Sequence, residues 1–299
     1  MSATLADIGE DALVRLITRH LRQDADVLLG PGDDCAVVRP PPAKHEQVLK
    51  TDTLVEGVHF TPTTPPRLIG RKALARVLSD FAAMAATPRH ALVTLIAPPT
   101  TPVARVRAIY QGLSRLARDF GVCVVGGETS RGSQLILSVS MSGHVKTGKW
   151  ITRSAARPGD VLYVTGRLGG SLRGWHLRFH PLVKEAAAIA QHLRPTAMMD
   201  LSDGLARDLP RLAASCGLGL EWWPEKIPLN PGCTLHQALH DGEDYQLLLA
   251  LPPSLRTERL AQVQGLFPRL RFFPIGCLLP RPSKAPAPRG GWDHFGRSP

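Results

Sequence analysis

The 299-residue sequence contains no apolar run approaching the roughly 20 residues that cross a bilayer, so no membrane-spanning helix is expected. Near the start, Asp7, Glu10 and Asp11 stand where a secretory signal would place positive charge, and a cytoplasmic location is expected. CxxC pairs are also absent. The five cysteines (Cys35, Cys123, Cys216, Cys233 and Cys277) are odd in number and widely spread, which argues against a disulfide framework or zinc ribbon and predicts reduced, mostly buried thiols. The formal net charge is +11, yet no block of five or six basic residues occurs and no nucleic-acid module interleaves aromatics with them. A solvated basic surface is expected, with neither nucleic acid nor membrane as partner. The same positive field would help to capture small anions.

With 43% hydrophobic residues the chain has enough apolar material for one large domain or two of ordinary size. Helical spacing of Ile8, Leu13, Leu16, Ile17 and Leu21 predicts an opening helix over 4–21, and Leu74, Val77, Leu78, Phe81 and Met84 predict another over 67–86, with Asp80 at the border of its apolar face. Strands are expected at 47–51, 91–97, 122–125 and 134–142, and a helix at 103–120. A break near Trp150 divides the chain into 1–147 and 148–299. The second part is predicted to hold strands at 161–165, 218–223, 245–251 and 271–277, helices at 183–193 and 203–215, and a Pro-, Arg- and Gly-rich loop at 280–291 that leads to Trp292. The alternation points to an α/β or α+β fold.

Acidic residues beside glycines or at element ends carry the strongest chemical signal: Asp33 and Asp34 in GPGDD, Asp52 in KTDT, Asp80 in LSD, Glu128 in VGGETS, and Asp200 and Asp203 in DLSDG. Each alone reads as a turn former or helix N-cap. Together they form a set of hard oxygen donors suited to Mg2+ held against phosphates. Gly126, Gly127 and Glu128 follow an apolar run, which predicts a carboxylate at a strand end where the backbone lets a ligand approach. Two decoys are set aside. Gly143 to Lys149 imitates a P-loop but has Trp150 where the metal-binding hydroxyl belongs, and Cys233, His236 and His240 lack a fourth metal ligand.

GPGDDCAVV, KTDTLVEGVHF, GRKALARVLSDFAAMAA, VGGETSRG, ITRSAARPGD, MDLSDGLARDL, DGEDYQLLL and GWDHF, in this order, resemble the motif series of the thiamine-monophosphate kinase family, itself related to aminoimidazole ribonucleotide synthetase. The resemblance implies a two-domain fold whose N-terminal half contributes to a β-barrel shared across a homodimer, with active sites in clefts between the halves. It implies ATP-dependent phosphorylation of thiamine monophosphate by in-line transfer. It also implies Mg2+ at Asp34, Thr51, Asp52, Asp80, Glu128, Asp200 and Asp203; ATP contacts at Gly127, Glu128, Arg153 and Ser202; and acceptor contacts at His59, Glu243 and Trp292. Asp80, Asp203 and Arg153 are the implied catalytic groups.

Departures from the family pattern are Glu128 in place of Asp, Val77 in place of Asn, GGSLRG at Gly169–Gly174 in place of a GDSAAG-like loop, and a shortened stretch over 182–195. Most carboxylates remain, and an active kinase is expected. The alternatives are a catalytically impaired nucleotide-binding homologue or another enzyme of the same scaffold. Of the latter, selenophosphate synthetase would carry a reactive N-terminal cysteine and the hydrogenase maturation factor would end in Cys, where this sequence reads Gly296-Arg297-Ser298-Pro299.

Overall fold

A computed structural model describes residues 3–31, 35–281 and 287–295, so the expected site residues Asp33 and Asp34 lie outside the described residues. The chain forms two compact units, Met1–Phe81 with Thr87–Gly148, and Ala82–Ala86 with Lys149–Pro299. The first unit opens with α1 (Leu5–Thr18), broken at Gly9, and a short ribbon of β1 (Val27–Leu29) and β2 (Val37–Val38). There follow β3 (His45–Val55), α2 (Pro66–Ala83, whose last two residues belong to the second unit), β4 (Thr87–Ala97), α3 (Val103–Asp119), β5 (Cys123–Arg131) and β6 (Ile136–Lys146). The sheet order is β3-β6-β4-β5, and only β4 and β5 run parallel, joined by α3.

Alternation along these strands makes a two-faced sheet. Leu54, Leu137 and Leu95 lie side by side on the buried face, whereas Thr53, Ser138, Thr94 and Glu128 line up on the opposite, partly exposed face. Helix α2 covers the buried face with Leu74, Val77, Leu78 and Phe81, all fully buried, and Phe81 lies over Gly143 of β6. The pairing of α2 and α3 depends on two glycines. A Cβ on Gly70 would stand 1.9 Å from the Ile109 carbonyl oxygen, and one on Gly112 would stand 1.9 Å from that of Arg67.

The strand expected at 122–125 does not stop there. β5 continues through Gly126, Gly127 and Glu128 to Arg131, pairing with β4 after a bulge, so these residues lie within a strand rather than at its end. The physical reason is close approach: a Cβ on Gly127 would lie 1.9 Å from the Val93 carbonyl oxygen. Both edge strands, β3 and β5, are open, and no closed barrel forms among the described residues.

The second unit contains β7 (Val161–Val164), α4 (Val183–His192), β8 (Ala197–Asp200), α5 (Leu205–Ser215), β9 (Gly219–Trp222), α6 (Leu235–His240), β10 (Leu247–Leu251), α7 (Thr257–Leu266) and β11 (Phe273–Leu279). Its five strands run antiparallel in the order β8-β10-β7-β11-β9. One face packs Leu162, Met199 and Leu248 against Leu205, Leu209 and Ala238 of α5 and α6. The other packs Met198, Leu247 and Leu249 against Ala186, Ile189 and Val263 of α4 and α7. Antiparallel pairing makes the fold α+β. All five cysteines are free thiols, but only Cys123 is buried; Cys35 is exposed and the other three are half-buried. Among the described residues no helix is long and apolar enough to cross a membrane.

Candidate active site

In the first unit the expected metal residues divide by the pleat of β3. Lys50 and Asp52 share the face covered by α2, and Asp80 of α2 points to the same place. The Lys50 ammonium lies 3.6 Å from Asp52 Oδ1 and 3.0 Å from Asp80 Oδ2, so a cation already bridges the two carboxylates. Thr51 lies on the other face, where its hydroxyl accepts a hydrogen bond from Ser140 at 3.0 Å. Glu128 is exposed on that other face as well. It stands on the opposite edge strand, three strand spacings or on the order of 14 Å along the sheet from β3. One chain therefore brings Asp52 and Asp80 together and leaves Glu128 apart from them. His59 follows β3 in a tight turn. Its Nδ1 accepts from the Val55 N–H at 3.0 Å, and its carbonyl accepts from the fully buried Lys72 at 2.7 Å.

The second unit gathers its site around the turn after β8. Asp200 ends that strand, nearly fully buried, and the chain turns through Ser202 and Asp203 into α5. Asp208, buried in the first turns of α5, accepts the backbone N–H groups of Ser202 and Asp203 at 3.0 and 2.9 Å. Burial, reinforced by the Asp203 charge, pushes the Asp208 carboxyl up to about 7. Arg211 donates to Asp208 and to Asp203, both at 2.8 Å. Two further residues hang on the carbonyls of this turn: the Glu243 N–H donates to Ser202 O at 2.8 Å, and the Trp292 N–H to Asp203 O at 2.7 Å. Arg207 lies 3.8 Å from Asp203 and donates to Asp293 at 3.0 Å, fastening the segment that carries Trp292. The Trp292 side chain is 44% exposed.

Glu243 and Tyr245 adopt φ of 53° and 50°, the left-handed region that costs a non-glycine residue energy and that gathers at functional sites. Tyr245 donates to Glu243 at 3.2 Å and stacks on Phe179, with ring centroids 4.0 Å apart. Asp244 between them accepts the Gly169 N–H at 2.9 Å, and burial pushes its carboxyl up to about 7. Arg153 is exposed. Its carbonyl meets Cys216 at the far end of α5 from Asp203, roughly 16 Å along the helix.

Sequence reasoning missed Lys50, Asp208, Arg207 and Arg211. The two arginines carried a readable signal, since they sit four and eight residues after Asp203 on one helix. Among the described residues no three His, Cys, Asp or Glu side chains are grouped to hold one metal ion. Paired carboxylates still fit Mg2+, which keeps most of its waters and takes one or two carboxylates beside substrate phosphates.

Residues 32–145 match the family described as AIR synthase related protein, N-terminal domain. Thiamine-monophosphate kinase of Rhodopirellula baltica is 35% identical over 262 residues, covering 82% of each chain. The chain belongs to the thiamine-monophosphate kinase family. Its fold is also that of the family. The thiamine-monophosphate kinase of Stenotrophomonas maltophilia K279a superposes with a TM-score of 0.78 at 29% identity, covering 93% of this chain and 94% of that one. The structure of AaThiL complexed with AMPPCP and TMP gives a TM-score of 0.75 at 30% identity and covers 99% of this chain and all of that one.

Proposed function

We propose that the protein transfers the γ-phosphoryl group of ATP to thiamine monophosphate, forming thiamine diphosphate. The observation that carries this reading is the likeness, over nearly the whole chain, to AaThiL complexed with AMPPCP and TMP. The acceptor phosphate has a second pKa near 6 and is ionised at neutral pH, so no general base is required. The protein's task is positioning and charge neutralisation.

In this reading Asp52 and Asp80 form one Mg2+-holding pair and Asp200 and Asp203 another, with Thr51 and Glu128 serving the opposite face of the first sheet and Asp34 completing the set. Bound Mg2+ supplies charge neutralisation between the triphosphate and the acceptor phosphate. Gly127, Glu128 and Ser202 contact ATP, and the exposed Arg153 guanidinium pairs with phosphate oxygens. His59, Glu243 and Trp292 hold the acceptor, the Trp face and the carboxylate both favouring a cationic ring. The open edges of β3 and β5 support a homodimer in which a second copy closes the barrel. The cytoplasm is the proposed place of action.

Purified protein supplied with ATP, Mg2+ and thiamine monophosphate should release ADP and form thiamine diphosphate, while unphosphorylated thiamine should give none. ATP binding without product would overturn the kinase reading in favour of an impaired nucleotide-binding homologue. Light scattering should give about twice the 32.4 kDa of one chain; a monomer would remove the shared barrel.

A further inference from the structure

A cavity of about 1110 Å3 opens in the second unit beside Glu243. Its lining includes two buried polar atoms with no hydrogen-bond partner among the described residues, Ser171 Oγ and Glu185 Oε2. Ser171 is 2% exposed, and the other Glu185 oxygen lies 3.4 Å from His180 Nε2. Folded proteins rarely leave such atoms unsatisfied, so a hydroxyl and a carboxylate oxygen lining one cavity indicate a ligand with complementary groups. Phe179 supplies an aromatic wall, and its stacking partner Tyr245 is hydrogen-bonded to Glu243, which also lines the cavity.

The loop that presents Ser171 is held firmly. Gly169 N–H donates to Asp244 at 2.9 Å, Gly170 N–H to Asp241 at 2.8 Å, and the Ser171 carbonyl lies 2.7 Å from His176 Nδ1. Ser171 belongs to the GGSLRG segment, and Glu185 to the shortened stretch after 182. Both segments are among the four departures from the family pattern, although Ser171 itself stands where the GDSAAG-like loop also has Ser. Of the four arginines on the lining, Arg167 donates to Leu229 O at 2.8 Å and Arg271 to Pro268 O and Leu270 O, while Arg178 and Arg269 add positive charge to its wall.

We propose that this cavity receives the aminopyrimidine ring of the acceptor, with Glu185 accepting from its amino group, Ser171 donating to a ring nitrogen and Phe179 lying against the ring. Ser171 and Glu185 are then specificity-determining residues for the acceptor. The inference rests on the proposed acceptor. Because Glu243 lines the cavity and its N–H is bonded to Ser202 O, the cavity adjoins the turn proposed to lie beside ATP.

The test compares the wild type with Ser171→Ala and Glu185→Gln. Each variant should raise KM for thiamine monophosphate about tenfold, the scale of one lost hydrogen bond to a charged or buried group, with kcat and KM for ATP within about twofold. The hydroxymethyl aminopyrimidine that lacks thiazolium and phosphate should compete with thiamine monophosphate in the wild type and lose that effect in Glu185→Gln. Ser171→Ala should melt no lower than the wild type without ligand, since it removes an unsatisfied hydroxyl. Unchanged KM values, equal rises for both substrates, or no competition by the pyrimidine would overturn the inference while leaving the kinase reading intact. If the wild type forms no product, the kinase reading fails. Equilibrium dialysis then decides for the cavity: pyrimidine binding weakened about tenfold in the variants supports it, and no binding overturns it.

Discussion

Lys50 lies between Asp52 and Asp80, and it softens the repulsion between the two carboxylates. Asp80→Asn removes one of those charges on a helix whose packing side chains are untouched. Thiamine diphosphate formation should fall by about two orders of magnitude or more, with the melting temperature shifted by only about 2 °C. Trp292→Ala should raise KM for thiamine monophosphate more than KM for ATP; equal rises would remove Trp292 from the acceptor pocket. Asp244 gives a test in pH. Burial raises its carboxyl to about 7 in the folded protein, against 3.8 ordinarily. Between those values the folded state binds the extra proton, so stability falls as pH rises from about 4 to 7 and levels off above. Asp244→Asn should keep an oxygen for the Gly169 N–H, and thermal melts should show the variant gaining on the wild type across that window. The motifs singled out Asp52, Asp80, Asp200 and Asp203 as carboxylates, but did not show that Asp52 lies inside a strand, or that it and Asp80, inside its helix, both face Lys50. Asp208 was not singled out, because its role lies in two backbone N–H groups that only the fold brings to it.

Apolar periodicity located α2, since Leu74, Val77, Leu78 and Phe81 advertise one face whatever lies against it, but the ten-residue α7, with Val263 as its one buried side chain, was not foreseen. Strand limits were harder to read. β5 runs on through two glycines and a polar tail, and the reason lies in Val93 on the neighbouring strand rather than in β5 itself. The crossing of α2 and α3 likewise depends on residues that look unremarkable in sequence. Gly70→Ala would drive a methyl group into the Ile109 carbonyl, and forcing the helices apart should cost about 1–3 kcal/mol, read as a lower urea midpoint. An unchanged midpoint would show that the two helices slide apart at little cost.

For the whole molecule, the net charge of +11 remains even with the carboxylates of the site counted in. Added salt should therefore lower kcat/KM for ATP more than it lowers kcat, because it screens the field that draws in the anion; equal effects would deny the field a part in capture. Strand order was the least legible property, since periodicity reports which face a residue takes and not which strand lies beside it. β10 has all five residues fully buried, lies between β8 and β7, and carries helices on both faces. The amides of Leu247–Leu251 should therefore exchange with deuterium as slowly as those of the central strand β7, by opening of the unit as a whole; faster exchange than in edge strand β8 would overturn this. Their exchange rate measures the unit's global stability from one strand, while the neighbouring turn at Ser202 and Asp203, beyond the end of edge strand β8, opens by smaller local fluctuations.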